Sequence, residues 1–396
     1  MKKDRRDFIK TSSAIAALSF AGIGSASANL VNGNDFLLNP KDKKVQWPLS
    51  EGPDTPKLVL GCPLNADVKQ MRRLKQIGVN SVSTGGWTNQ EALSNPRPWK
   101  INELQGYMNK FKENGLTLIN LMHPVGTNIV LGREGRDAEI EIFKESLRVA
   151  SVCGLPNVEY NFYVDRLVEG YFETEGRGGS GLTGFDFSKV KDLPPKPEIG
   201  IHKAEEIWTN LTYFLKAVIP VAEKAGVRLA LHPNDPVSQT SHGSDQIMAN
   251  LAGWKRLISI VDSPCNGITF DCGVTREMGE DPVEVCKYFA SRDRINHVHY
   301  RNVSSAIPYD KYTEVFIDEG QVNMFAVMQE LMRHGYKRGV YPEHPHILDY
   351  DREYAAGDKR SGGVAGGGGG GGYAGEVFNV GFARAMMFAV MSMQKK

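Results

Sequence analysis

The chain has 396 residues, a hydrophobic fraction of 41% and a formal net charge of +1. Those values suit a soluble globular protein and give no electrostatic reason to expect nucleic acid or an acidic membrane surface as partner. Removing an N-terminal export segment leaves about 370 residues, enough for one barrel with insertions.

In chain order, the first feature is Asp4-Arg5-Arg6-Asp7-Phe8-Ile9-Lys10, a twin-arginine pattern. A modestly apolar run follows from Thr11 to Gly24 and ends at the small-residue cleavage site Ala26-Ser27-Ala28. The alternative is an amphipathic N-terminal helix. The run is too short and too weakly apolar for a stable membrane span. Residues 1–28 are therefore expected to be a signal peptide read by the twin-arginine translocon. The mature chain, 29–396, is expected to be one periplasmic domain with no membrane span. The five cysteines (Cys62, Cys153, Cys265, Cys272 and Cys286) are odd in number, so at least one thiol is free. No spacing among them suggests a zinc knot.

Eight strand-like runs come next: Lys57–Gly61, Asn80–Thr84, Leu116–Leu121, Asn157–Tyr163, Val227–His232, Gly267–Asp271, Ile295–Tyr300 and Gly339–Glu343. Helical patterns separate most of them: Ala66–Gln76, Ile101–Glu113, Arg136–Val152, Ala204–Lys224, Ser244–Ile260, Pro282–Ala290 and Met324–Met332. Gly78, Gly115, Gly226 and Gly335 each stand where a helix stops and a strand begins. Regular β–α alternation predicts a parallel sheet, and eight units predict a closed (β/α)8 barrel. No Gly-x-Gly-x-x-Gly follows the first strand, which removes support for a dinucleotide fold.

Two stretches break the rhythm. Residues 165–200 follow the fourth strand and are rich in Gly, Pro and charge. An insertion there lies on the catalytic face and is a candidate lid or interface loop. The second is Ser361–Gly375, with consecutive glycines over 366–372. It is either a flexible linker or a loop that closes over the mouth, ahead of a final helix Val377–Met393.

Barrel strands alternate between interior and helix layer. Placing the apolar sets outward turns Glu159, Asn161, His232, Thr269, Asp271, His297, His299, Arg301, Tyr341 and Glu343 toward the axis. His232, Asp271, His299 and Glu343 then share the strand C-termini, which ring the active-site mouth. Four such groups need partners or a metal if buried. Two imidazoles and two carboxylates suit a divalent ion of the manganese, iron or zinc kind. Cys272 is a rival to Asp271 as the third ligand, and a thiolate would favour zinc or iron.

The later strands carry a recognisable series. His232-Pro233-Asn234-Asp235-Pro236 resembles the His-Pro-Asp-Asp-Pro of the mannonate dehydratase family. Gly267 to Gly273 resembles its Gly-Leu-Thr-Phe-Cys-x-Gly, with Asp271 in the place of the family's Cys ligand. His297-Val298-His299-Tyr300-Arg301-Asn302-Val303, Glu319 to Phe325, and Pro342-Glu343-His344 resemble further family motifs, and Tyr160-Asn161-Phe162 matches a strand-four motif. Glu343 stands where the family has an Asp ligand. The likeness covers most of the chain after residue 57.

The resemblance implies a xylose-isomerase-like barrel. It also implies an enzyme that removes water from D-mannonate to give 2-keto-3-deoxy-D-gluconate with Mn²⁺, while Fe²⁺, Co²⁺ and Zn²⁺ stay open. It assigns His344 as an acid/base and Tyr373 as a second one. Arg301, Asn302, Asn161 and Glu159 are candidate substrate-binding residues; Arg301 could instead pair with a barrel acid such as Glu159. A sugar isomerase or epimerase on the same barrel is the first rival reading. An exported, non-catalytic sugar-acid binding protein is the second. A homo-oligomer stays open.

Overall fold

The structure is a computed structural model that describes residues 47–85, 96–354 and 371–393. The twin-arginine segment, its cleavage site and most of the glycine run lie outside the described residues. In chain order the described strands are β1 (Lys57–Gly61), β2 (Ser81–Gly85), β3 (Thr117–Met122), β4 (Asn157–Tyr160), β5 (Tyr171–Glu175), β6 (Gly181–Asp186) and β7 (Arg228–Leu231). They continue with β8 (Thr240–Ser241), β9 (Ser244–Asp245), β10 (Asn266–Asp271), β11 (Ile295–His299), β12 (Asn302–Ile307), β13 (Lys311–Val315) and β14 (Gly339–Tyr341). Eight of them close a barrel in the order β1-β14-β11-β10-β7-β4-β3-β2, every barrel pairing parallel. These are the eight predicted runs, the first with the same bounds and the others displaced by up to three residues at their ends.

Helices wrap the barrel because their apolar stripes and the outward strand residues bury each other. The helix Ala204–Ala225 buries Ile207, Leu211, Phe214, Leu215, Val218 and Ile219. Phe214 meets Phe143 and Tyr160 edge-on, joining two helices and β4. Gly78, Gly115, Gly226 and Gly335 all have positive φ, between 65° and 87°, and turn each helix end into the next strand. The last helix, Tyr373–Met393, is the one helix among the described residues long and apolar enough to cross a membrane. It buries Val380, Ala383, Met387 and Val390.

Three departures from the sequence pattern bear on the site. The expected helix over Ser244–Ile260 begins only at Leu251, where the Asn250 side chain accepts the Gly253 N–H at 2.8 Å. Upstream of that cap, Ser244 and Asp245 pair with β8 instead, and the Gln246 side chain is bonded to Ser238 and Asn234. A short helix, Cys272–Glu277, follows β10 directly, with Asp271 as its cap. The 165–200 insertion supplies β5 and β6, which join β12 and β13 in an antiparallel sheet of order β12-β13-β6-β5. Sequence patterning gave no counterpart to β12 and β13.

Candidate active site

β10 and β11 pair with Asp271 opposite His299. A register shift between Ile268 and Thr269 leaves Asn296 as the extra residue and sets His297 opposite Thr269. Val298 and Tyr300 then fall in the apolar layer, while His297, His299 and Arg301 face polar groups inside. Gly339 makes room for this, because a side chain there would meet the His297 ring at 2.8 Å. Cys272 is fully buried in the apolar layer, and burial, with the nearby Asp271 carboxylate, pushes its thiol well up.

The structure brings His232, Asp271 and His299 together, with one ligand atom of each within 4.8 Å of the others. His232 Nε2 lies 3.1 Å from His299 Nδ1. Glu343 Oε1 comes to 2.9 Å of the same Nδ1, and Asp271 Oδ2 to 3.9 Å. All four residues are buried. His232 Nδ1 lies 2.8 Å from the Pro233 carbonyl, which leaves Nε2 for the centre. Burial works against a charged His299, yet Glu343 and Glu159 outweigh it and raise its pKa well above normal. His232 shifts the other way, lowered by burial and by the charge of His299. Glu343 is held well below the usual carboxylate range, because His299 and His344 outweigh its burial.

Arg301 is surrounded by carboxylates. Its guanidinium is 2% exposed and lies 3.0 Å from Asp271, 2.8 Å from Glu277 and 3.5 Å from Glu343. Asp235 and Glu314 are each 3.9 Å away. Gly273 is needed here, since a Cβ would stand 2.5 Å from the guanidinium. The expected alternative, pairing with a barrel acid such as Glu159, is met by five other carboxylates. Asn302 is likewise spoken for: it donates to Ile317 and Val322 carbonyls and accepts from the Val322 N–H, shaping the loop before the helix Met324–Arg333. Asn161 follows β4 directly, half-buried, with its amide 3.9 Å from the Met122 sulfur. Glu159 lies deeper, under the His299 ring.

His344 has positive φ, 49°, which swings its ring back over the mouth. Nδ1 lies 3.0 Å from Glu314 and Nε2 3.5 Å from Glu343. Burial opposes the charged ring, but Glu314 and Glu343 outweigh it and raise its pKa to about 9. Tyr373 points elsewhere. Its hydroxyl, expected as a second acid/base, donates to the Arg73 carbonyl at 3.1 Å, on the helix Val68–Gln76.

The groups that sequence reasoning missed come from the accessory sheet and from the loop after β7. Tyr312 and Glu314 are the buried alternates of β13, a period-two signal visible in Lys-Tyr-Thr-Glu-Val. Asp235 accepts the Tyr171 hydroxyl at 2.7 Å and is approached by Tyr312 at 3.4 Å. Its carboxyl is held low, as Arg301 and Arg166 outweigh burial. Strands β5 and β13 are thereby tied to the mouth.

A closed (β/α)8 barrel with its polar groups gathered at the strand C-termini has the form of an enzyme scaffold. Residues 198–367 match the family model D-mannonate dehydratase (UxuA). Mannonate dehydratase 2 of Halalkalibacterium halodurans is 29% identical over 309 residues, covering 71% of this chain and 86% of that protein. The mannonate dehydratase of Thermotoga petrophila is 30% identical over 285 residues, covering 63% and 79%. The crystal structure of mannonate dehydratase from Streptococcus suis serotype 2 superposes with a TM-score of 0.74 at 25% identity, covering 85% of this chain and 95% of that one. D-Psicose 3-epimerase from Clostridium cellulolyticum H10, with a TM-score of 0.54 at 11% identity, covers 84% and 99% and shares the fold alone. The chain belongs to the mannonate dehydratase family and is an enzyme of that kind.

Proposed function

We propose that the protein is a metal-dependent hydro-lyase acting on a sugar acid, with D-mannonate as substrate, 2-keto-3-deoxy-D-gluconate as product and Mn²⁺ as the ion. The observation that carries the reading is the convergence of His232, His299, Asp271 and Glu343 on one buried point. Glu343 Oε1 lacks a well-aligned hydrogen-bond donor there, although it is buried. Two nitrogens and two carboxylates fit a borderline divalent ion. These four residues would hold it. When bound, it would supply Lewis-acid stabilisation for charge that develops on the substrate carboxylate.

Dehydration removes a proton from the carbon beside the carboxylate and expels hydroxide, protonated to water, from the next carbon. His344 is the proton-transfer group in this reading. Its Nε2 faces the centre while Glu314 holds Nδ1. With its pKa raised to about 9, the ring carries its proton at neutral pH and is suited to give it to the departing hydroxide and to recover one from the substrate carbon. Burial of the whole set keeps competing water away and strengthens each charge interaction. Export by the twin-arginine route is part of the proposal. It rests on Arg5-Arg6 and the cleavage site Ala26-Ser27-Ala28.

The test is metal analysis of purified protein together with a screen of hexonates, including D-mannonate, for 2-keto-3-deoxy acid formation. Isomers without loss of water would point to the epimerase reading. Cell fractionation of the full chain against an Arg5→Lys, Arg6→Lys variant tests export.

A further inference from the structure

We infer that Glu159 is a positioning residue, which fixes the His299 ring so that Nδ1 faces the metal. The inference rests on the proposal that His299 is a metal ligand. The interior of this barrel is unusual below the mouth. Where branched apolar layers would serve packing, Ser83, Asn120, Glu159 and Thr269 form one buried polar chain. The Asn120 amide donates to Ser83 at 2.9 Å and to Glu159 Oε2 at 2.8 Å, and the Thr269 hydroxyl donates to Glu159 Oε1 at 2.7 Å. The Asn157 amide in turn donates to the Asn120 carbonyl oxygen at 2.6 Å. Glu159 therefore cannot swing: both oxygens are anchored from below and beside.

What remains of its acceptor capacity points at His299. Oε1 lies 3.2 Å from Nε2 of that ring, off the axis of an ideal bond. The other ring nitrogen, Nδ1, is the one near His232 and Glu343. Only one proton is carried by a neutral imidazole. A carboxylate on Nε2 puts the proton there and frees the Nδ1 lone pair for an ion. A ring whose far nitrogen donates to a carboxylate is also a stronger ligand, and losing such a partner typically weakens metal binding by about 10–100-fold.

Glu159, His297 and His299 are themselves close enough to be read as a second metal site. The hydrogen bonds argue against it. A carboxylate already accepting an amide and a hydroxyl, with both donors rigid, is built to hold a proton donor.

The experiment is titration of the metal-free full chain with Mn²⁺ by calorimetry, and absorbance of the Co²⁺-loaded protein, for wild type, Glu159→Gln and Thr269→Val. The Glu159→Gln amide carries a donor where an acceptor is required, so either Asn120 or His299 loses its partner. Its Mn²⁺ affinity should fall about 10–100-fold with a changed Co²⁺ spectrum. Thr269→Val, which keeps the shape and removes one anchor, should fall a few-fold. If Glu159→Gln does not fold, Thr269→Val decides alone. Affinities within twofold of wild type and an unchanged spectrum would overturn the inference, as would two tightly held ions per chain. Wild-type protein that takes up no ion would overturn the metal reading and this inference with it.

Discussion

Replacing Arg301 with Met separates two roles that the sequence left open. A substrate-binding arginine at the mouth would be dispensable for folding; its loss would raise KM and leave stability alone. The structure gives it a different task. Asp271 and Glu277 are within 3.0 Å of it, and Glu343, Asp235 and Glu314 are within 4 Å. All are buried with it. Removing one partner of a buried pair costs about 3–5 kcal/mol, because the carboxylates left behind have neither water nor a counter-charge. Glu277 takes up part of this loss by protonation, since burial already outweighs Arg301 and holds its pKa well above normal. The other carboxylates lose their nearest counter-charge, so a cost of about 3 kcal/mol is expected, the lower end of that range. That is a large share of a typical stability of about 5–15 kcal/mol. Urea unfolding of metal-free protein at pH 7 measures it. Arg301→Lys, which keeps the charge but not the planar fork, should lose less. Wild-type stability in the Met variant, with a raised KM, would refute the reasoning and return Arg301 to the substrate.

His344→Ala should keep its metal and lose at least ~10²-fold in turnover, the scale of one acid/base group; loss of metal along with activity would reverse the role given to it. Asp271→Asn keeps an acceptor for the Val274 N–H and so the cap of the Cys272–Glu277 helix. It should still lose metal, whereas Cys272→Ala, in the apolar layer, should retain it; metal content by mass spectrometry decides. His123 is buried between Trp99 and Phe143, and burial lowers its pKa to about 4. The unfolded chain binds the proton near pH 6.5 while the folded chain does not, so stability is full above that pH and falls as pH drops from 6.5 to 4. The loss is on the order of 3 kcal/mol. His123→Phe should flatten urea unfolding between pH 7 and pH 5, and an unchanged pH slope would show that the ring is protonated in place.

The barrel was legible because each strand carries its own parity, and each helix its own stop. Gly226 ends a helix wherever it sits, since only a residue at ease with φ of 65° makes that turn. Parity likewise placed His299 and Asp271 side by side without distances. The accessory sheet was not legible, because antiparallel pairing joins β13 to β6, more than a hundred residues apart in the chain. No local pattern in either strand encodes that partner. Glu314 and Asp235 stayed hidden for the same reason: their roles are set by Arg301 and His344, which reach them only in the fold. The buried partners of Arg301 and Asn302 were not legible, because a buried network and a binding site draw on the same residue types. Tyr373 carries a family-like neighbourhood, but its side chain turns to Arg73.

The account stands most directly on one measurement: formation of 2-keto-3-deoxy acid from D-mannonate by the purified chain, stripped with chelator and then reloaded with Mn²⁺. It predicts that stripping abolishes turnover and that Mn²⁺ restores it in proportion to the metal bound. Turnover indifferent to stripping would contradict it, as would a fully loaded chain that dehydrates no sugar acid.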